Sequence, residues 1–496
     1  MSIHFPLRTF PEVSPSVRLL AEQAFSRAAG APLIPGNSIG LLRDAAQNYP
    51  AWLDAIRSAT RSIHFENYFI TDDDIGRQFA EAMASKAAEG VRVRLIYDWL
   101  GSFGKASRRF WRKLRAAGVD VRCFNPPRID QPLGLLIRDH RKMLAVDGHV
   151  GFVTGLCVGR VWLGSPEYGI EPWRDTGVMI TGPAVADIEH AFSEVWSTLG
   201  PPLPVDEVSP RSALHPSGEV TLQVIANAPY TAGLYRLDQL LAAVARTSLW
   251  LTDAYFVGLP TYVQALRAAA LDGVDVRLLV PGATDIPIIG AISRAGYQPL
   301  LEAGVRVFEW NGPMLHAKTA VADGRWARIG SSNLNLSSWI GNYELDVAVE
   351  DETFAQSMER MYLEDLSCST EVVLSDRKRI RLAQDRPRSP RQARSKGKGS
   401  IGRAGVGVLK LEKLVEAAIA SQRTLGPAEA RITLSAGAIL LLLAVVAVIW
   451  PEWLAIPFAI FSGWLALSLF LRAYKLRTTH TDDSAQRSGQ GGKDRS

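Results

Sequence analysis

Cysteine is nearly absent from the 496-residue chain: Cys123, Cys157 and Cys368 are all it has. Three scattered thiols cannot build a disulfide framework or a cysteine-rich zinc site, which favours a reducing compartment. No cluster of Asp, Glu, His and Cys stands at metal-ligand spacing, so neither a metal nor any other cofactor is expected. The opening residues, MSIHFPLRTFPEVSPS, hold no apolar run of the length a secretory signal needs, and no such signal is expected. Charge is low in net terms and unevenly placed. Residues 376–403 carry eleven Lys/Arg and two Asp, which leaves −4 for the rest of a chain whose formal charge is +5. A mildly acidic folded part argues against nucleic acid as a partner. Apolar residues make up 47%, which excludes global disorder and allows a large core over two or three domains.

Long apolar runs are confined to the C-terminal part. Ile432 to Trp450 and Trp453 to Leu471 are each uncharged, with only Pro451 and Glu452 between them. At about 1.5 Å per residue each spans roughly 28 Å, close to the ~30 Å of a hydrocarbon core. The expectation is a transmembrane helical hairpin over 432–471. Arg431 precedes it and Arg472, Lys475 and Arg477 follow, so both ends are expected on the cytoplasmic side of a cell membrane, and with them the large N-terminal part. The basic segment 376–403 reads as a disordered linker able to meet anionic headgroups. Residues 406–424 read as an amphipathic helix, with Val408, Leu411, Val415 and Ile419 at helical spacing. A polar tail covers 472–496.

The remainder contains one pattern twice. RSIHFENYFI (61–70) resembles TSLWLTDAYFV (247–257), VRVRLIYD (91–98) parallels VDVRLLVP (274–281), and AAGVDVRCF (116–124) parallels EAGVRVFE (302–309). Strand-like and helix-like runs alternate. The expectation is an α/β fold of two similar lobes, 37–205 and 218–372, after an extension of 1–36, with mixed, mostly parallel sheets. A site built from both copies belongs at their interface.

Each copy ends in a charged constellation. The first reads RDHRKMLAVDG, with His140, Lys142 and Asp147; the second reads LHAKTAVADG, with His316, Lys318 and Asp323. On a strand, residues two apart share a face, so each copy sets an imidazole beside an ammonium. Each Asp opens an Asp-Gly pair, a hairpin-turn signal, and reads as structural. Asp175 in RDTGVMI and Glu344 in YELDVAV fall at matching places downstream. Both are candidates for the acceptor that a catalytic imidazole needs on its far nitrogen.

Two histidines and two lysines meeting at one interface suit a phosphodiester. Lys142 and Lys318 would neutralise the phosphoryl oxygens. One neutral histidine would attack phosphorus while the other, protonated, would donate to the leaving alkoxide. These motifs resemble those of the phospholipase D superfamily, in the order and spacing of its bacterial cardiolipin synthase branch. The resemblance covers roughly residues 36–372 and includes Glu66, the YDWLGS segment around Asp98, WRDT at Trp173 to Thr176, GSSNLN at Gly330 to Asn335 and Asn342 to Glu344. It implies metal-free phosphatidyl transfer with His140 as nucleophile and His316 as acid/base. It also implies substrate contacts from Glu66, Ser331 and Asn333. The sequence departs from the pattern at Cys157, where asparagine is usual, and in carrying its apolar segments at the C-terminal rather than the N-terminal side.

The expected function is therefore a membrane-associated phosphatidyltransferase, with phosphatidylglycerol as donor and acceptor. A phospholipase D hydrolase making phosphatidic acid is the alternative. A tethered nuclease and a non-catalytic membrane scaffold stand behind both.

Overall fold

The structure, a computed structural model, describes residues 23–127, 137–374, 380–382, 462–464 and 466. Each half begins with parallel β-α-β units. In the first half β1 (Ile34–Arg43) leads to the helix Asp44–Ser58, then β2 (Ser62–Asn67), the helix Asp74–Ala88, β3 (Arg92–Asp98), the helix Arg108–Ala116 and β4 (Asp120–Phe124). Antiparallel strands β5 (Lys142–Val146), β6 (Val150–Thr154) and β7 (Thr176–Thr181) follow, and the helix Val185–Thr198 ends the half. The second half repeats this order. Its strands are β8 (Val220–Asn227), β9 (Ser248–Thr252), β10 (Asp275–Pro281), β11 (Arg306–Trp310), β12 (Thr319–Ala322), β13 (Trp326–Gly330) and β14 (Glu344–Glu350), closed by the helix Glu352–Ser367. Two edge strands, β15 (Ser369–Leu374) and β16 (Ile380–Leu382), complete it.

The strands order as β16-β15-β11-β10-β9-β12-β13-β14-β8-β1-β7-β6-β5-β2-β3-β4. Read outward from the central β8–β1 pair, both halves show the same succession. The duplication in sequence thus becomes a pseudo-twofold about β1 and β8, which pair antiparallel. The expectation of mostly parallel sheets is corrected here. Among the described strands only β2–β3, β3–β4, β9–β10 and β10–β11 pair in parallel. The reason is local: Asp147-Gly148 and Asp323-Gly324 have φ of 57°/65° and 53°/63°, the paired positive values of a type I′ hairpin. Those turns fold β5 onto β6 and β12 onto β13, and a hairpin is antiparallel.

Helix faces follow from spacing. In Asp44–Ser58, Ala45, Tyr49, Trp52, Leu53 and Ile56 are buried, the i, i+4, i+7 stripe of a helix covering a sheet. They join Phe65, Phe79, Trp111 and Phe152 in the first lobe's core. A second core lies in the other lobe around Leu249, Tyr262, Val276 and Trp339. A third is shared: Met143, Val153, Val178 and Phe192 of one half pack with Val224, Ile329, Val347 and Met358 of the other. Buried area stabilises at roughly 25 cal/mol per Å², so this shared core fixes the halves together and not just each within itself.

Part of the segment expected to be a disordered linker is ordered. Ile380–Leu382 pairs antiparallel with β15. The rest of 376–403 and the amphipathic stretch 406–424 lie outside the described residues. So does the expected hairpin 432–471, apart from Ser462, Gly463, Trp464 and Ala466, which are helical. No helix among the described residues is long and apolar enough to cross a membrane.

Candidate active site

The two motifs meet through a crossed backbone arrangement. Before β5, Asp139 bridges in parallel to Tyr343 of the other half; before β12, Leu315 bridges in parallel to Arg174 of the first half. The bridges are held by His140 N–H to Tyr343 O (2.9 Å) and Tyr343 N–H to Arg138 O (2.9 Å). Their counterparts are His316 N–H to Arg174 O (2.7 Å) and Arg174 N–H to Met314 O (2.9 Å). Tyr343 and Arg174 immediately precede Glu344 and Asp175. Each bridge therefore delivers a carboxylate of one half to the histidine of the other.

The side chains complete the crossing. His140 Nδ1 lies 2.9 Å from Glu344 Oε2 and 3.1 Å from Oε1. His316 Nδ1 lies 2.8 Å from Asp175 Oδ2. Burial pushes both carboxyls up, but the neighbouring imidazoles and lysines outweigh it and hold Asp175 and Glu344 below their ordinary values. An ionised carboxylate only accepts, so Nδ1 carries the proton in each ring and Nε2 is left as the reactive nitrogen. Both carboxylates are fully buried and further secured. Ser331 Oγ donates to Glu344 (2.5 Å), Asn342 Nδ2 donates to it (3.2 Å), and Trp162 Nε1 donates to Asp175 (3.2 Å). Gly155 is required where it stands, because a Cβ there would come 2.2 Å from Asp175 Oδ1.

The lysines lie beside the histidines. Lys142 Nζ donates to His140 O at 2.6 Å. Lys318 Nζ sits 2.9 Å from His316 Nδ1 and also donates to His316 O. Burial, and Lys142 and Lys318 behind it, drive His140 below the ordinary imidazole value despite the pull of Glu344. Burial and Lys318 push His316 further, to about 3. Lys318 itself is lowered to about 8 by burial, with Lys142 adding to it. Each half's lysine thus acts on the other half's histidine, which is the electrostatic mark of a single shared site. The two lysines oppose protonation of both rings, and an anion placed among them favours it.

Four further residues singled out in the sequence, Glu66, Ser331, Cys157 and Asn333, are all buried. Glu66 is fully buried on β2, where all six residues are covered, and it faces Asp139, Arg141 and Glu194. Burial first, then Asp139, raises its carboxyl well above the ordinary value. Ser331 Oγ donates to Glu344 and accepts from Leu345 N–H (3.0 Å). Cys157 is buried in the first lobe's core and its thiol is raised by burial. Asn333 is buried, and its side-chain carbonyl has no hydrogen-bond partner among the described residues.

Asp147 and Asp323 lie at the opposite ends of the strands. Asp147 accepts from the N–H groups of Thr60, Arg61 and Ser62 at 2.8 Å each; Asp323 accepts from Arg246, Thr247 and Ser248. They tie the start of β2 and β9 to the hairpins.

Several site residues escaped the sequence reading. Tyr68 stacks edge-on to His140 with centroids 5.0 Å apart, and Tyr255 does the same to His316 at 5.8 Å. Their signal was the repeat itself, since they close ENYF and TDAYF. Trp162 flanks His316 at 5.7 Å, beside Trp173, the opening residue of the WRDT motif already read in the sequence, at 5.9 Å. Lys105, from the loop after β3, is exposed as a residue, but its ammonium end turns inward to 3.1 Å from the centroid of the Phe69 ring. Burial of that end, with Lys142 adding, lowers it to about 8, while Asp285 and Cys157 act the other way. It is a third cation within electrostatic reach of Lys142. No group of three or more His, Cys, Asp or Glu among the described residues is arranged to hold a metal ion.

Comparison with known proteins agrees with this geometry. The chain matches the family described as "Cardiolipin synthase, PLD-like domain" over residues 52–196 and 239–366, which include both His–Lys pairs and both carboxylates. It is 34% identical over 376 residues to cardiolipin synthase A of Pseudomonas fluorescens, covering 73% of this chain and 75% of that one. It is also 34% identical over 349 residues to a cardiolipin synthase of Alkalihalophilus pseudofirmus, covering 69% of each. Its fold is similar to that of a phosphatidylserine synthase from Haemophilus influenzae, at a TM-score of 0.55 and 13% identity over 80% of this chain and 97% of that one. The chain belongs to the phospholipase D-like cardiolipin synthase family.

Proposed function

We propose that the chain joins two phosphatidylglycerol molecules, releasing glycerol, at the cytoplasmic face of a membrane. The observation that carries this reading is the crossed pair His140–Glu344 and His316–Asp175, with Lys142 and Lys318 between them. The diester of the first lipid sits among the lysines. Its charge offsets theirs and restores basicity to the imidazoles. His140 Nε2 attacks phosphorus in line, forming a P–N bond as the bond to the headgroup glycerol oxygen breaks. His316 gives that oxygen its proton, and glycerol leaves. The hydroxyl of a second phosphatidylglycerol then loses its proton to His316 and attacks phosphorus. The P–N bond breaks and the two lipids share the diester. Lys105 and Asn333 hold the lipid phosphate in this scheme, while Glu66 and Ser331 position the His140 and Glu344 segments.

The test is product analysis by mass spectrometry on vesicles of phosphatidylglycerol. Free glycerol and a diphosphatidyl product in equal amounts are expected, with neither from His140→Ala. Phosphatidic acid as the sole lipid product would make the chain a hydrolase.

A further inference from the structure

The loops that build the mouth of the site carry a surface with no use in the chemistry. The helix Arg108–Ala116 buries Phe110, Trp111 and Leu114 and turns Arg108, Arg109, Arg112 and Lys113 outward. Positions i, i+1, i+4 and i+5 share one face, and none of the four has an acidic partner among the described residues. The loop leading into this helix carries Lys105 and leaves Phe103 38% exposed, its ring tilted against Trp99 at 5.0 Å. Exposed apolar side chains also stand on two other segments that neighbour site residues, the turn Pro166–Tyr168 and the start of the helix Pro287–Ala295. Tyr168 is 78% exposed in the segment between Trp162 and Trp173, which flank His316. Ile288, 56% exposed, follows Asp285, which accepts from the Tyr255 hydroxyl at 2.8 Å.

We propose that this mouth is itself a docking surface for an anionic lipid bilayer, with Phe103, Tyr168 and Ile288 entering the interface and the Arg108–Lys113 face on the headgroups. Exposed apolar groups around an opening and unpaired cations beside it match the two layers of such a surface, acyl chain and phosphate. A nucleic acid would be served by the cations and not by the apolar tips. The consequence is a site that opens into the bilayer, so that a lipid passes its headgroup inward while its chains stay in an apolar phase. The inference rests on the lipid-substrate reading above, but docking is read without turnover.

The test uses the full chain reconstituted in vesicles. An environment-sensitive thiol dye is placed by Phe103→Cys or Ile288→Cys in a Cys368→Ser background, and by Val205→Cys as a control. Val205 is 96% exposed and adjoins Asp206, which pairs with Arg92 at the far end of β3. In vesicles rich in phosphatidylglycerol, dyes at 103 and 288 are expected to shift to the blue and to be quenched by lipids brominated on their chains, while that at 205 does neither. In vesicles of phosphatidylcholine alone the shift should weaken. Reversing the charge of Arg108, Arg109, Arg112 and Lys113 to Glu should return the dyes to water and lower kcat/KM on anionic vesicles by at least about tenfold. Turnover of a monomeric short-chain phosphatidylglycerol should not change; where the reversal unfolds the chain, the milder Arg112→Gln/Lys113→Gln pair serves. Dyes at 103 and 288 as wet as that at 205 on anionic vesicles would overturn the proposal, and so would salt-sensitive duplex DNA binding with those dyes wet. Docking without a diphosphatidyl product would leave this proposal standing and defeat the preceding one.

Discussion

Glu344 of the second half accepts the Nδ1 proton of His140 of the first, at 2.9 Å, and is itself fully buried. The relation has a mirror in Asp175 and His316. Neither half holds a complete histidine–carboxylate pair, so the reactive groups exist only where the halves meet.

Glu344→Gln keeps the shape but lets the amide present a donor to Nδ1, which favours the wrong tautomer. We expect kcat to fall by about 10²–10⁴-fold with KM little changed. Asp175→Asn should act alike through His316. Steady-state kinetics on phosphatidylglycerol vesicles check both; a loss under threefold would detach the carboxylates from the chemistry.

Lys105→Ala removes the ammonium at the mouth. We expect kcat/KM to drop roughly tenfold, the scale of one charge-assisted contact to phosphate. Thermal unfolding should hardly move, because the residue is otherwise exposed.

Burial lowers Lys318 to about 8, with Lys142 adding to the effect. A depressed lysine loses its charge early as pH rises, so kcat/KM should fall above about pH 8 and not hold to the ordinary lysine range near 10. Lys318→Arg cannot titrate there, and its residual activity should lack that limb. A profile flat to pH 9.5 in the unaltered enzyme would contradict the assignment.

How far the sequence foretold this site depends on the residue. His140, Lys142, His316, Lys318, Asp175 and Glu344 stand in short motifs, and the repeat pairs them by position. The crossing does not show in sequence, because the bridges Asp139–Tyr343 and Arg174–Leu315 join residues far apart in the chain. Glu66 lies on β2, which is covered on both faces, so alternation carries no information about which side meets solvent. Lys105 left no motif: a loop lysine reaches the site only once β3 and β5 are in place. The Asp-Gly turns were visible, yet their consequence for strand direction emerges only when the hairpins are built.

Cys157 occupies a core position, with its Sγ side buried and its carbonyl accepting from Tyr49 Oη at 2.7 Å. Cys157→Ala should leave kcat unchanged within error, and thiol reagents should not inactivate the folded enzyme. Inactivation traced to Cys157 would contradict this.

Asp147→Ala deletes three backbone contacts at the start of β2. We expect a loss of about 2 kcal/mol in urea unfolding, the scale for hydrogen bonds to a charged group. Burial raises the Asp147 carboxyl, but the donors from 60–62 outweigh it and hold it below its ordinary value. Its contribution is therefore present above about pH 4 and is lost as pH falls through the lower, folded-state value. Activity of the folded fraction should be retained.

The most direct test of the shared site is to capture the intermediate. His316→Ala, mixed with phosphatidylglycerol, quenched and digested, should yield a peptide with a phosphatidyl group on His140 and no free diphosphatidyl product. Adduct on another residue, or full turnover by His140→Ala, would contradict the account.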